Sequence, residues 1–172
     1  MVEVFRGEAD QKVDQKGRVY VPNFFRRVIE RGDPDCAEGE RPNLVLVYGT
    51  EKQKQLKCFT IRGIRSIDRR IRKMKKGSVE RRAMEKIYNG LAQPVQLDDE
   101  GRITLPQKLR DKLELNGRAY MIANSDHFEL WKPETYTGGP ASKEVDDWIE
   151  AQGEDFDPDS VLPDDDDDDD DV

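Results

Sequence analysis

The chain has 172 residues, with 29 basic and 37 acidic side chains, a formal net charge of −8 and an apolar fraction of 35%. That length holds one domain, or two small halves sharing a core. No stretch of membrane-spanning length and no apolar leader core occur, and Cys36 and Cys58 lack metal-ligand spacing, so a soluble cytoplasmic protein in a reducing compartment is expected.

Taken in chain order, the first patterned element is "VDQKGRVYVP", Val13 to Pro22. Asp14 can accept hydrogen bonds from backbone N–H groups two or three residues on. Gly17 supplies the positive φ that a type I turn with a following bulge requires. Val19 and Val21 then alternate with Arg18 and Tyr20, as in a half-buried strand with the arginine on the outward side. Pro22 is expected to open a short helix at its first position and Gly32 to close it. The loop sequence "GDPDCAEGERP" follows, then the strand formers "LVLVYG" and "CFTI", with "GTEKQKQLK" between them.

From Arg62 to Lys86 there are eleven basic and three acidic residues. Ile64, Ile67, Ile71 and Met74 recur at helical spacing, and Ser78 can cap a second helix carrying Met84 and Ile87. Two readings remain open: a nucleic-acid surface, or the solvated outer face of a packed helix pair, which needs no ligand.

The phrase then returns as "LDDEGRITLP", Leu97 to Pro106. An offset of 84 holds through Asp14/Asp98, Gly17/Gly101, Arg18/Arg102, Pro22/Pro106 and Arg26/Arg110, which marks an internal repeat. Pro106 and Gly117 bound the second short helix, and "AYMIAN" and "HFELW" are joined by a turn at "NSDH". A helix is expected around Val145–Ala151, with Val145, Trp148 and Ile149 on one side. Asp164 to Asp171 are eight consecutive aspartates, expected to be disordered.

Each half therefore reads strand, turn, strand, short helix, strand, turn, strand. Four short strands and one helix bury little alone, whereas two such units interleaving their strands bury a shared core. The expected fold is mainly β with short helices (α+β), one pseudo-twofold barrel-like domain. Its parts are a first half at 4–61, a basic helical segment at 62–88, a second half at 89–136 and an acidic tail at 137–172. Residues 1–136 hold 28 basic and 21 acidic side chains, whereas the tail holds Lys143 against sixteen acidic ones. The pI of 4.9 averages these two regions. Charge alone leaves open a nucleic-acid-binding body or an ordinary surface beside a solubilising tail.

The doubled Asp-x-x-Gly-Arg phrase, "FRG" at Phe5–Gly7 and "FELW" at Phe128–Trp131 resemble the bacterial MraZ family, over roughly residues 4–150. The resemblance implies a DNA-binding transcriptional regulator built from two AbrB-like swapped-hairpin halves. It implies ring-shaped homo-oligomers in the cytoplasm, at the nucleoid. It also implies binding to short direct repeats upstream of the protein's own division and cell-wall operon. The family's signature maps onto Asp14/Arg18 and Asp98/Arg102, with each arginine as the implied DNA contact.

An arginine on an outward strand face beside a tight turn can enter a groove, and its fork can pair with guanine O6 and N7. Asp14, Gly17, Asp98 and Gly101 are turn-formers in this reading. Lys16 is a further candidate contact, and Arg6 a weaker one. Lys16 has Glu100 as its counterpart, so the second phrase is less basic. Arg26 and Arg110 suit a structural role as readily as a contact. The competing role for Arg18 is a surface ion pair with an acidic residue on a neighbouring strand.

An enzyme would need a nucleophile–base pair or a metal cluster. The lone His127 sits in a hairpin, and Asp98, Asp99 and Glu100 lie in a turn that the repeat already explains. No catalytic phrase, cofactor motif or metal site is read in the sequence. The alternative is an AbrB-like antitoxin, or an interaction module whose acidic tail binds a protein partner.

Overall fold

In the computed structural model, which describes residues 3–164, the doubled phrase becomes two hairpin turns that lie back to back. The first half supplies β1 (Glu8–Lys12), β2 (Arg18–Tyr20), α1 (Asn23–Arg31), β3 (Asn43–Val47) and β4 (Gln55–Thr60). Helices α2 (Ile61–Arg72) and α3 (Val79–Glu85) follow, extended by a π-helical turn over Lys86–Gly90. The second half repeats the order with β5 (Ala92–Gln96), β6 (Arg102–Thr104), α4 (Gln107–Leu113), β7 (Arg118–Asn124) and β8 (His127–Trp131). Short α5 (Pro133–Tyr136) and α6 (Pro140–Ala151) end the described chain, with a 3₁₀ turn at Pro158–Val161. The expected disorder of the aspartate run falls outside the described residues, Asp164 excepted.

The strands of the two halves interleave. One six-stranded antiparallel sheet runs in the order β1-β7-β8-β4-β3-β5, and β2 pairs with β6 in a separate two-stranded ribbon. Replacing each strand by its counterpart in the other half reverses the sheet order without changing it, which is the pseudo-twofold relation expected from the repeat. Each half thus completes the other's sheet, β1 on β7 and β5 on β3, with β4 against β8 at the centre. Strands β1 and β5 are the two edges, and no ladder joins them among the described residues.

The inward residues of both phrases, Val19, Val21, Ile103 and Leu105, are buried in one core with Phe25, Leu109, Met121, Phe128 and Leu130. Phe25 stacks on Phe128 at 4.7 Å between ring centres, and Phe5 meets Phe25 edge-on at 5.5 Å. Burying each such side chain contributes about 1.5–3 kcal/mol before entropy is charged against it. A second cluster forms where Ile64, Ile67 and Ile71 of α2 cover Val47 and Phe59, with Met84 and Ile87 at its margin. The helical spacing seen in the sequence is therefore the packed face of α2. Met74 stays half-buried beyond its end. Ser78 caps α3, accepting from the Arg81 N–H at 3.2 Å.

The proline positions and the end of α4 differ from expectation, whereas Gly32 does close α1. Pro22 and Pro106 stand one residue before their helices, extended at ψ 146° and 151°, and their carbonyls accept the first helical hydrogen bonds. Gly32 follows α1 at φ −85°, an ordinary conformation, so its glycine is needed for space. A Cβ there would lie 2.5 Å from Cβ of Thr60. Helix α4 ends earlier than Gly117, because Glu114 itself takes the left-handed conformation at φ 55°.

Candidate nucleic-acid interface

Each turn is built by its aspartate. Asp14 Oδ1 accepts from the N–H groups of Lys16 and Arg18, both at 2.9 Å, and its carbonyl accepts from Gly17 N–H at 3.0 Å. Asp98 repeats the arrangement with Glu100 and Arg102 at 2.9 Å and with Gly101 at 3.0 Å. Gly17 and Gly101 hold φ at 84° and 79°, the region that disfavours a side chain. The second carboxylate oxygen of each aspartate takes the arginine of the same phrase. Arg18 Nε donates to Asp14 at 2.6 Å, and Arg102 Nε to Asp98 at 2.9 Å.

These ion pairs lie within each turn, not across to a neighbouring strand. They hold only the Nε edge of Arg18, so both of its Nη groups lack an acceptor among the described residues. Arg102 is held more closely: its Nη1 stands 3.2 Å from Glu100, and its side chain is 20% exposed against 35% for Arg18. The N–H and guanidinium of Arg18 keep the Asp14 carboxyl below its usual range. Burial pushes Asp98 upward, but the hydrogen bonds from Arg102 and Glu100 outweigh it and leave Asp98 lowered as well.

Antiparallel pairing of β2 with β6 sets Arg18 opposite Thr104 and Tyr20 opposite Arg102, with the buried pair Val19 and Ile103 between them. Alternation then places Arg18, Tyr20, Arg102 and Thr104 on the one face turned away from the core. Tyr20 is 49% exposed, and the Arg102 guanidinium carbon lies 5.8 Å from its ring centre. A shallow depression beside this face is lined by Lys12, Asp14, Arg18, Tyr20, Arg102 and Arg118, among others.

Of the residues singled out in the sequence, Arg18 and Arg102 are brought together, and Lys16 is exposed at the tip of the first turn. Arg6 is not brought to them. It precedes β1 at the end held by the 124–127 hairpin, where Phe5 N–H donates to the Ser125 carbonyl at 2.8 Å. That is about 20 Å of extended chain from Lys12. Tyr20, Lys12 and Arg118 were missed. Tyr20 carried a signal, since it lies two residues from Arg18 on one strand face. Lys12 and Arg118 meet only because β1 pairs with β7 of the other half. Among the described residues no cluster of potential ligands could hold a metal ion, and no helix is long and apolar enough to cross a membrane.

Comparison with known proteins places this arrangement in a family. A family model described as "MraZ protein, putative antitoxin-like" matches residues 90–141. A protein of Ruegeria pomeroyi named transcriptional regulator MraZ is 42% identical over 158 residues, covering 92% of this chain and 94% of the relative. A protein of the same name from Ruegeria sp. strain TM1040 is 43% identical over 154 residues, covering 90% and 92%. A more distant one, from Thioalkalivibrio sulfidiphilus, is 28% identical over 166 residues, covering 92% and 97%. The shared name is that of a regulator and not of an enzyme. With that identity over nine-tenths of its length, the chain belongs to the MraZ family of transcriptional regulators.

Proposed function

We propose that this regulator binds double-stranded DNA through the outward face of the β2–β6 ribbon, with Arg18 as the principal reader. The observation that supports it is the register that sets both phrase arginines, Tyr20 and Thr104 on a single face clear of the core. A two-stranded ribbon fits the major groove, which is about 12 Å wide. The free Nη groups of Arg18 suit bidentate pairing with guanine, and Lys16 and Lys12 suit phosphate. Arg102 contributes less, because Glu100 already occupies one edge of its fork. Arg6, at the far end of β1, is at most a contact to flanking backbone.

Copies of the chain assemble into a ring and present several ribbons to short direct repeats upstream of the protein's own operon. Later contacts then become intramolecular, which raises avidity without new interactions. The test is a footprint of the full-length protein on the DNA upstream of its gene. Protection of regularly spaced short repeats is the expected result, and uniform or absent protection would reject the reading. A second reading, an antitoxin of the AbrB type, is favoured by the words of the family description. A toxin gene adjoining this one would support it, and a cell-wall operon downstream would not.

A further inference from the structure

Helix α6 carries Val145, Trp148 and Ile149 at the i, i+3, i+4 spacing of a groove-binding helix, yet the three are 56%, 48% and 49% exposed. Phe156 folds back to meet Trp148 edge-on at 5.7 Å, so the segment is internally organised and still leaves the stripe open. Glu144 and Asp146 flank the stripe at about 90–110° around the helix axis, given 100° per residue. From Pro140 to Asp164 the chain holds nine acidic residues and one basic, Lys143.

The opposite surface exists on the same molecule. A groove beside α2 is floored by Phe59, Ile67, Ile71, Met74, Met84 and Tyr88. Lys57, Arg70, Asp126 and His127 complete its rim, and exposed Lys73 stands in the chain between the lining residues Ile71 and Met74. The helices around it hold eleven basic and three acidic residues between Arg62 and Lys86. The segments that carry the two surfaces have formal charges of +8 over 62–86 and −8 over 140–164. Apolar stripe and apolar floor match in kind, and within one chain the stripe stays about half exposed.

We propose that α6 of one copy docks its Val145–Trp148–Ile149 stripe into the α2–α3 groove of a second copy. Acidic residues flanking the stripe meet the basic rim, which steers the encounter and fixes which surfaces meet. The basic helical segment is then a protein-docking surface and not a second DNA surface. The inference rests on the assembly part of the proposed function and not on its DNA-binding part.

The experiment measures mass by light scattering for full-length protein across a dilution series, with thermal melts to confirm folding. Four forms are compared: wild type, Glu144→Lys/Asp146→Lys, Arg70→Glu/Lys73→Glu, and all four substitutions together. These positions are exposed and lie outside the core. Each pair alone should raise the concentration needed for assembly at least tenfold, and the combined form should recover most of it. Mixing the two pair variants should also restore association, since the groove of one matches the helix of the other. Unchanged assembly in both pair variants would overturn docking and leave the ring intact. A monomeric wild type at micromolar concentration would overturn ring and docking together, while the footprint could still stand. Loss of DNA binding with unchanged mass in the Arg70→Glu/Lys73→Glu form would assign the groove to nucleic acid and overturn the proposal.

Discussion

Arg26 of the first half lies so close over Gly101 of the second that a Cβ there would stand 2.4 Å from its Nη1. The repeat returns the relationship: Arg110 lies over Gly17, where a Cβ would stand 2.7 Å from Nε. The backbone completes the exchange, with Val21 N–H donating to the Gly101 carbonyl at 3.0 Å and Leu105 N–H to that of Gly17 at 2.8 Å. Each turn that carries a phrase arginine is therefore held by the helix and strand of the other half. This gives Arg26 and Arg110 a positioning role, and it fixes the two turns relative to one another.

Both glycines should resist substitution, and unequally. Alanine at either would have to adopt a left-handed backbone, at a cost of about 1–3 kcal/mol. At Gly101 the obstructing atoms belong to the flexible Arg26 side chain, whereas at Gly17 a Cβ would also lie 2.4 Å from the Leu105 carbonyl oxygen. Gly17→Ala should lower the unfolding temperature more than Gly101→Ala. Thermal melts of the two variants check this, and equal losses would mean that the backbone clash is relieved by movement.

The turns should also impart an acid dependence to stability. Asp14 and Asp98 are both held below the usual carboxyl value of 3.8 in the fold. A carboxyl lowered on folding stabilises the fold above its unfolded pKa, and that stability is lost as pH falls through the folded pKa. Wild type should therefore lose stability as pH falls below about 4. The Asp14→Asn/Asp98→Asn form should be less stable at neutral pH and lose less over the acid window. Denaturant melts at a series of pH values measure both slopes, and parallel curves would deny the turns this role.

Glu100 makes the two ribbon arginines unequal. It approaches Arg102 Nη1 at 3.2 Å and accepts from the Tyr20 hydroxyl at 3.4 Å. Glu100→Gln removes a negative charge from the face and frees the fork, so DNA affinity should rise several-fold at low salt, less at high salt. Titration at two salt concentrations checks this.

The tail bears a separate prediction. It holds sixteen acidic residues against Lys143, eight of them the aspartates from Asp164 to Asp171. A tethered polyanion reaches an effective concentration of millimolar order for short flexible linkers, enough to compete with phosphate for the basic body. It lacks groove edges, so it should suppress binding to random DNA more than binding to the operator. A form truncated after Pro163 should bind random DNA markedly tighter at low salt and prefer the operator less. Equal affinities, with only solubility changed, would leave the tail as a solubiliser.

The twofold plan was legible because the two phrases repeat without a gap and their inward residues alternate. The apolar spacing of Ile64, Ile67 and Ile71 likewise foretold the packed face of α2. Strand pairing was not legible, since a strand's period specifies its faces but not its neighbours. Hence Lys12 and Arg118, on partners from different halves, escaped notice, and Arg6 looked nearer to the turn than β1 allows. The sequence also showed that Asp14 could form a turn without showing that its second oxygen would hold Arg18. That pairing depends on the side chain turning back along its own hairpin.

The central claim is that the outward ribbon face reads DNA, and one comparison tests it most directly. Affinity for the DNA upstream of the protein's own gene is measured for wild type, Arg18→Ala and Arg102→Ala, each first shown by light scattering to have the wild-type mass. A bidentate arginine–guanine contact is worth about 1–3 kcal/mol of discrimination, or roughly 5- to 150-fold. Arg18→Ala should lose at least about fivefold in affinity with its preference over random DNA reduced, and Arg102→Ala should lose less. Wild-type affinity and preference in an assembled Arg18→Ala protein would contradict the account.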